Sequence, residues 1–459
     1  MTENSKNSSK ARPGGKVSSS RKSSSRRPAN PRELVLLLLK SILREQQTLD
    51  EALGNNLAAF EAMEKRDRAF TRLLISTLMR RLGQIDKAIN ACMSRKLPVK
   101  MVDVRDILRL GAAQLLFLDT PPHAAVSTSL DLARGPRLAG HKPLMNAVLR
   151  RISREAEELL AGMDDSRDNM PKWMWEKWCK IYGEETTRAI ALAHLVEPPL
   201  DLSVKSAPEQ WAEKLGGTVT SGNSIRLQQG SGDPSQLPGF NDGEWWVQDF
   251  AASLPALLLG PVKDLRIADI CAAPGGKTAE LAAAKANVTA VDVSSKRLKR
   301  LRENIKRLNL DVEVLTTDAT TWQVEQPFDA VLLDAPCSAT GTLRKHPELG
   351  RIKRQADVNQ LSQIQSRLLE NTLSLVKPGG LIVYATCSLE PEEGVEQIEK
   401  LLEENPALVE RLPIRAEELG PEPWLASLVT AEGDLRCLPC HQKEEGGIDG
   451  FYACRLKRI

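Results

Sequence analysis

The chain holds 459 residues, 41% of them hydrophobic and 27% charged, with a formal net charge of +3. That length predicts two or three folded units with buried cores, and it excludes a wholly disordered chain. No apolar run reaches membrane-spanning length, "MTENSKNSSKARPGG" lacks the apolar core of a secretory signal, and eight cysteines without compact spacing predict a cytosolic protein with reduced thiols.

Residues 1–30 carry eight Lys or Arg against Glu3, a balance of +7 that leaves −4 for the rest. This Ser-, Lys- and Arg-rich tail has almost nothing to bury and is expected to be disordered. A grip on a nucleic-acid backbone and a purely solubilising role are both open for it.

Residues 31–160 read as consecutive helices. "LVLLLLKSIL", broken by Lys40, is a buried helix, and "DRAFTRLLISTLMRRLGQIDKAI" repeats apolar residues at helical spacing. The arginines of this bundle are expected on solvated outer faces. Residues 165–245 begin with the Trp-rich amphipathic "MPKWMWEKWCKIYG" and continue in short alternating pieces, which predicts a small α+β subdomain. Trp245 and Trp246 are expected to pack in a core rather than stack on bases.

Residues 246–459 alternate strands ("LRIADI", "NVTAVDV", "VEVLTT", "FDAVLLD", "GLIVYAT") with helical patterns. That alternation predicts a parallel, doubly wound sheet with its ligands beyond the carboxyl ends of the strands. "CAAPGGK", Asp292, Asp318, the Asp334–Cys337 stretch and Cys387 then share one rim. The glycine loop does not match G-x-G-x-x-G, and no phosphate-gripping lysine loop is present. A nucleoside without phosphates fits better, which favours S-adenosylmethionine over NAD or ATP. Asp292 suits a ribose diol, and Asp318 is placed for a purine or its sugar edge.

"LLDAPCSATG" and "LIVYATCSLEPEEG" both end a buried run at a cysteine and a serine. Metal binding would want more ligands, so no metal is expected. Two thiols at neighbouring strand ends can share one substrate. A thiolate adding to C6 of cytosine makes C5 electron-rich enough to attack an electrophilic methyl, and a second thiol can assist release. Asp334 is placed to hold N3 or the exocyclic amine of a base that is unpaired or flipped out.

"DAPCSATGTLRKHPE", "YATCSLEPEEG", "CAAPGGKT" and "DGFYACRLKR" closely resemble the RNA cytosine-5 methyltransferases of the Sun/Nop family. "RAF", "ID" and "HAAV" followed by "PLMNAVLRR" resemble the NusB-type RNA-binding fold. The resemblance runs from about residue 31 to the end. It implies an all-α NusB-like bundle, a small α+β subdomain and an α/β Rossmann-like methyltransferase domain, acting on cytosine in 16S rRNA with S-adenosylmethionine as cofactor. It implies Cys387 as nucleophile, Cys337 as the thiol that assists release, and a cofactor loop of Cys271, Ala272, Ala273, Pro274, Gly275, Gly276 and Lys277. Asp292 becomes the ribose-binding acid, with Asp318 and Asp334 beside the cofactor and Asp334 also at the base. RNA is the expected partner, with no membrane, and a monomer is expected.

Two departures from the family pattern stand out. "LGRIKRQ", with Gly350, follows "HPE" where an apolar or aromatic continuation is usual, and this loop is expected to face the RNA. "VQDFAASL" keeps Gln248 and Asp249 but has no Gln after the Ser. Arg344 and Lys345 are candidates for phosphate contacts, with a solvated loop as the alternative, and His346 is expected in a local structural role rather than in acid-base catalysis. Cys271 is expected to shape its turn. Cys437 and Cys440, beside His441, lack the second ligand pair of a zinc site. Two other classes remain open: a non-catalytic RNA-binding factor, for which the rim residues are dispensable, and a nicotinamide-dependent dehydrogenase, against which the missing G-x-G-x-x-G stands.

Overall fold

A computed structural model describes residues 30–228 and 230–459. The expected basic tail lies, but for Asn30, outside the described residues. Among the described residues no helix is long and apolar enough to cross a membrane.

The front of the chain is helical: α1 (Pro31–Glu45), α2 (Lys65–Ala91), α3 (Val102–Phe117) and α4 (Lys142–Arg154) are its main members. Asn30 caps α1 by accepting from the backbone N–H groups of Arg32 and Glu33, and Pro31 occupies the first turn, where no N–H is needed. Leu34, Val35, Leu38, Leu39 and Ile42 form the stripe of α1 that faces Leu74, Ile75 and Leu78 of α2 and Ile107 and Leu108 of α3. The arginines do not all face solvent. Arg109 is drawn inward between Asp86 at 2.6 Å and Asp106 at 3.0 Å, and Arg44 reaches Asp103 at 2.8 Å. A carboxylate on the neighbouring helix, invisible in the local pattern, turned these side chains.

Next come α5 (Lys172–Tyr182) and α6 (Glu184–Ala193), then an antiparallel sheet of β1 (Leu200–Val204), β2 (Gly217–Ser221), β3 (Ser224–Leu227) and β4 (Trp245–Val247), in the order β2-β3-β1-β4. Trp245 and Trp246 are buried, so they serve packing.

The last part carries β5 (Arg266–Ile270), β6 (Asn287–Asp292), β7 (Glu313–Thr316), β8 (Phe328–Asp334), β9 (Val376–Thr386), β10 (Val409–Arg411), β11 (Leu435–Cys437) and β12 (Phe451–Arg458). Its main helices are α7 (Phe250–Leu257), α8 (Gly276–Ala283), α9 (Ser295–Arg307), α10 (Gln355–Leu375) and α11 (Val395–Glu404). The strand order is β10-β12-β9-β8-β5-β6-β7, with β11 on β12. All five anticipated strands are present and pair in parallel. The sheet as a whole is mixed, which corrects the all-parallel expectation. β12 runs antiparallel to β9, from Tyr452 opposite Thr386 to Lys457 opposite Leu381, and covers the edge that β9 would otherwise expose. Strand order reverses on either side of β5, so the crevice for ligands opens beyond its carboxyl end.

Candidate active site

The loop after β5 turns sharply. Cys271 has φ +61° and Gly275 φ +103°, both in the left-handed region, before α8 begins at Gly276. A Cβ on Gly275 would also sit 3.0 Å from Leu301 Cγ, so this position needs glycine twice over. Asp292, at the end of β6, is buried against the loop. It accepts from the N–H of Ser294 at 2.9 Å and of Ala273 at 3.4 Å, with Arg297 at 3.3 Å. Asp318 stands apart on the exposed side of the rim. It accepts from the hydroxyl and N–H of Thr320, which hold its carboxyl below the usual range.

Ala272, Pro274, Gly276, Lys277, Asp334 and Cys387 line one cavity of about 840 Å3. Cys271, Ala273, Gly275, Asp292, Asp318 and Cys337 are not on its wall. Three parts of the chain enclose it, because Gln248 and Asp249 after β4 and Ser76 and Arg80 of α2 also face it. Lys277 donates to Asp334 at 2.9 Å and lies 4.7 Å from the centre of the Phe451 ring. Burial alone would lower the Lys277 ammonium, but Asp334 foremost, with Cys387 and Glu280, raises it, so it stays charged. Asp269, which the sequence reading passed over, also reaches the cavity. It is fully buried, one oxygen accepts from Thr278, and the other has no partner. Desolvation pushes its carboxyl up to about 7. A strand-end acid directly before a glycine loop was the available signal.

The Sγ atoms of Cys337 and Cys387 lie 3.4 Å apart. Its hydrogen bond to Cys387, then burial, pushes the Cys337 thiol well up, so Cys337 keeps its proton. Burial likewise pushes up the Cys271 thiol, which packs against the sheet.

The surrounding loops are braced from outside the catalytic part. Trp178 of α5 donates to Glu390 at 2.9 Å, Lys177 pairs with Glu390 at 2.6 Å, and Tyr182 donates to the carbonyl of Leu389 at 2.5 Å. The Trp-rich helix therefore holds the loop that follows Cys387. "DGF" locks the other side: Gly450 N–H donates to the Gly341 carbonyl at 2.8 Å, and a Cβ on Gly341 would sit 2.1 Å from the Gly450 carbonyl oxygen.

Two expectations about "RKHPELGRI" are overturned. Arg344 is 1% exposed; it donates to the carbonyl of Gly446 at 2.6 Å, and its own carbonyl accepts from Arg80 of α2 at 2.6 Å. It is a buried strut and not a phosphate contact. The start of the following segment turns inward as well: Leu349 and Ile352 sit in the core of the front bundle, and Arg351 donates to the Asn169 carbonyl at 2.5 Å, while Arg354 beyond them is exposed. Apolar residues three apart on a short helix found a hydrophobic groove on the bundle. Lys345 does face the cavity, yet it is gripped by Asp249 at 2.6 Å and Asp449 at 2.9 Å. Beside it His346 pairs with Glu348 at 3.6 Å, which raises its pKa against burial. In the C-x-x-C, Cys437 is fully buried and His441 Nδ1 accepts from the N–H of Leu438 at 3.2 Å.

Comparison with known proteins matches residues 256–457 to the family model described as 16S rRNA methyltransferase RsmB/F and residues 29–154 to the NusB family. Ribosomal RNA small subunit methyltransferase B of Cronobacter sakazakii is 35% identical over 394 residues, covering 82% of this chain and 91% of that protein. Its namesake in Pseudomonas putida is 34% identical, covering 94% and 99%. Among solved structures, PH0851 has a TM-score of 0.70 at 24% identity, covering 94% of this chain and 99% of its own. A methyltransferase homolog from Pyrococcus horikoshii has 0.52 at 26%, covering 66% and 98%. With a third of its positions shared across almost the whole length of such relatives, the chain belongs to the ribosomal RNA small subunit methyltransferase B family.

Proposed function

We propose that this protein methylates 16S rRNA by transferring a methyl group from S-adenosylmethionine to C5 of a cytosine, through a transient bond between Cys387 and C6 of the base. Methylation of small-subunit ribosomal RNA is the activity its family is named for. The observation that carries the finer reading is the contact of two thiols beside Lys277 and Asp334, with Cys387 on the wall of a shared cavity.

The rim fits the donor. Asp269 offers a buried oxygen without a partner for an ammonium, and Asp292 an acid for a ribose diol. Val293, next in the chain, is 70% exposed and offers an apolar face to a purine ring, with Asp318 at the same rim for the purine edge. Bound S-adenosylmethionine supplies an electrophilic methyl on a sulfonium.

The chain's own residues supply the rest. The base enters unpaired or flipped out. Asp334 accepts from its exocyclic amine, while Lys277 holds Asp334 and sets a positive charge beside Cys387. The Cys387 thiolate adds to C6, the electron pair of the C5–C6 double bond takes the methyl at C5, and the methyl–sulfonium bond breaks with its electrons left on the donor sulfur as S-adenosylhomocysteine. The C5 proton then leaves to solvent. Its electron pair restores the double bond, and the C6–S bond breaks with Cys387 departing as thiolate. Cys337, which keeps its proton, donates a hydrogen bond to the departing sulfur.

The test is incubation with methyl-labelled S-adenosylmethionine and unmodified 16S rRNA, followed by digestion to nucleosides. Label in 5-methylcytidine is expected, and label in any other nucleoside would reject the reading.

A further inference from the structure

The two thiol loops end in the same dipeptide, Cys337-Ser338 and Cys387-Ser388. The sulfurs explain the cysteines but leave the serines without a role. Glu393 gives them one. It is fully buried, five residues past Ser388, and it is not on the cavity wall. Its Oε1 accepts from the N–H of Ser338 at 2.8 Å and from Gln365 at 3.2 Å. Its Oε2 accepts from the hydroxyls of both serines, Ser338 and Ser388, the latter at 2.5 Å. The glutamate is itself fixed, because its carbonyl accepts from Tyr384 at 2.9 Å and Thr386 at 3.2 Å, both on β9. Gln365 of α10 extends the grip by donating to the carbonyl of Pro336 at 2.8 Å.

A buried carboxylate needs this many donors to offset its lost hydration. What is informative is where the donors come from. One oxygen takes one hydroxyl from each cysteine loop, and the two hydroxyls lie 3.3 Å apart where the two sulfurs lie 3.4 Å apart. One residue along from the chemistry, the carboxylate repeats the spacing that the chemistry requires.

We infer that Glu393 is a positioning residue: by taking one serine hydroxyl from each loop, its carboxylate sets the distance between the attacking sulfur of Cys387 and the releasing sulfur of Cys337. The inference rests on the covalent reading above and gives the serines separable effects. Ser338→Ala loosens only the Cys337 loop, so attack proceeds, release slows, and a covalent RNA adduct accumulates. Ser388→Ala loosens the Cys387 loop, so adduct formation itself slows and none accumulates. Displacements of this kind cost about 10- to 100-fold in rate. Glu393→Ala loses both grips. Glu393→Gln keeps its shape, and serine hydroxyls can turn to accept from the new amide, so it rescues most of the rate.

The experiment measures turnover and denaturant-stable RNA adduct for these four variants of the full chain, with Cys337→Ala alongside and thermal melts to confirm folding. The expected result is adduct in Ser338→Ala but not in Ser388→Ala, with Glu393→Gln well above Glu393→Ala in turnover. If Cys337→Ala traps adduct while the two serine variants behave alike, or if Glu393→Ala turns over like wild type, the role of Glu393 is overturned and the covalent reading stands. If Cys337→Ala traps nothing, the covalent reading falls and takes this inference with it.

Discussion

The Lys277 ammonium lies 2.9 Å from the Asp334 carboxylate, at the junction of the cofactor loop and the strand that leads to Cys337. One residue comes from the start of α8 and the other from the end of β8, so in the proposed reading the pair ties donor side to base side. In the proposed reaction its charge acts on Cys387 and its carboxylate on the base. Lys277→Met is therefore expected to lower the single-turnover rate of methyl transfer by about 10²–10³-fold, the usual cost of removing a group aimed at developing charge. Asp334→Asn is expected to fall comparably, because an amide cannot both accept from the base amine and hold the lysine. Rapid-quench kinetics with bound RNA measure this. A loss under threefold in both variants would remove the pair from the mechanism.

In the proposed reading, Asp269 makes donor binding depend on pH. Its carboxyl, pushed up to about 7 by desolvation, is mostly protonated below that value in the protein alone. A cationic amine bound beside it favours the ionised form, so binding below pH 7 must release a proton. Affinity for S-adenosylmethionine is expected to rise from pH 5 to pH 7, by up to about tenfold per unit, and then level off. Asp269→Asn should bind more weakly and without this slope. Titration calorimetry in buffers of different ionisation enthalpy reads both, and an unchanged slope in the variant would place the titrating group elsewhere.

The same acid affects stability with the opposite sense. The unfolded chain ionises this carboxyl near 3.8, while the folded chain holds the proton to about 7. The folded state therefore binds more protons in that window, and stability falls as pH rises from about 4 to about 7. Asp269→Asn should flatten this part of the stability profile in urea titrations. A profile that kept its full slope would contradict the assignment.

Leu349 and Ile352 belong to the catalytic part by sequence and to the front bundle by packing. Leu349→Ala is expected to cost about 2–5 kcal/mol, the usual range for a buried leucine, and to lower the unfolding midpoint of both parts together. A change below about 0.5 kcal/mol in urea unfolding would show that the segment does not hold the bundle.

What was legible follows from how far apart the partners are. The five parallel strands, the glycine loop and the two thiols each sit in one short run of sequence, with the apolar stretch and its terminating residue adjacent. β12 was not read as a strand of the sheet because its partner, β9, lies across the long irregular segment that ends the chain. Arg344 reads as an exposed basic residue until Arg80, 264 positions earlier, takes its carbonyl. Leu349 and Ile352 look like loop residues until the bundle offers them a groove. Glu393 acts across 55 positions to Ser338, a relation with no trace in either motif alone. Asp269 is the exception: its position was readable from the strand ending, and only its unpartnered oxygen needed the fold.

The central claim is that Cys387 attacks and Cys337 lets go. The most direct test mixes Cys387→Ala, Cys337→Ala and wild type with 16S rRNA and S-adenosylmethionine, then resolves the products under denaturing conditions. The account predicts turnover without persistent adduct for wild type, neither transfer nor adduct for Cys387→Ala, and a stable protein–RNA adduct carrying the methyl group for Cys337→Ala. Methyl transfer by Cys387→Ala at near the wild-type rate would contradict it.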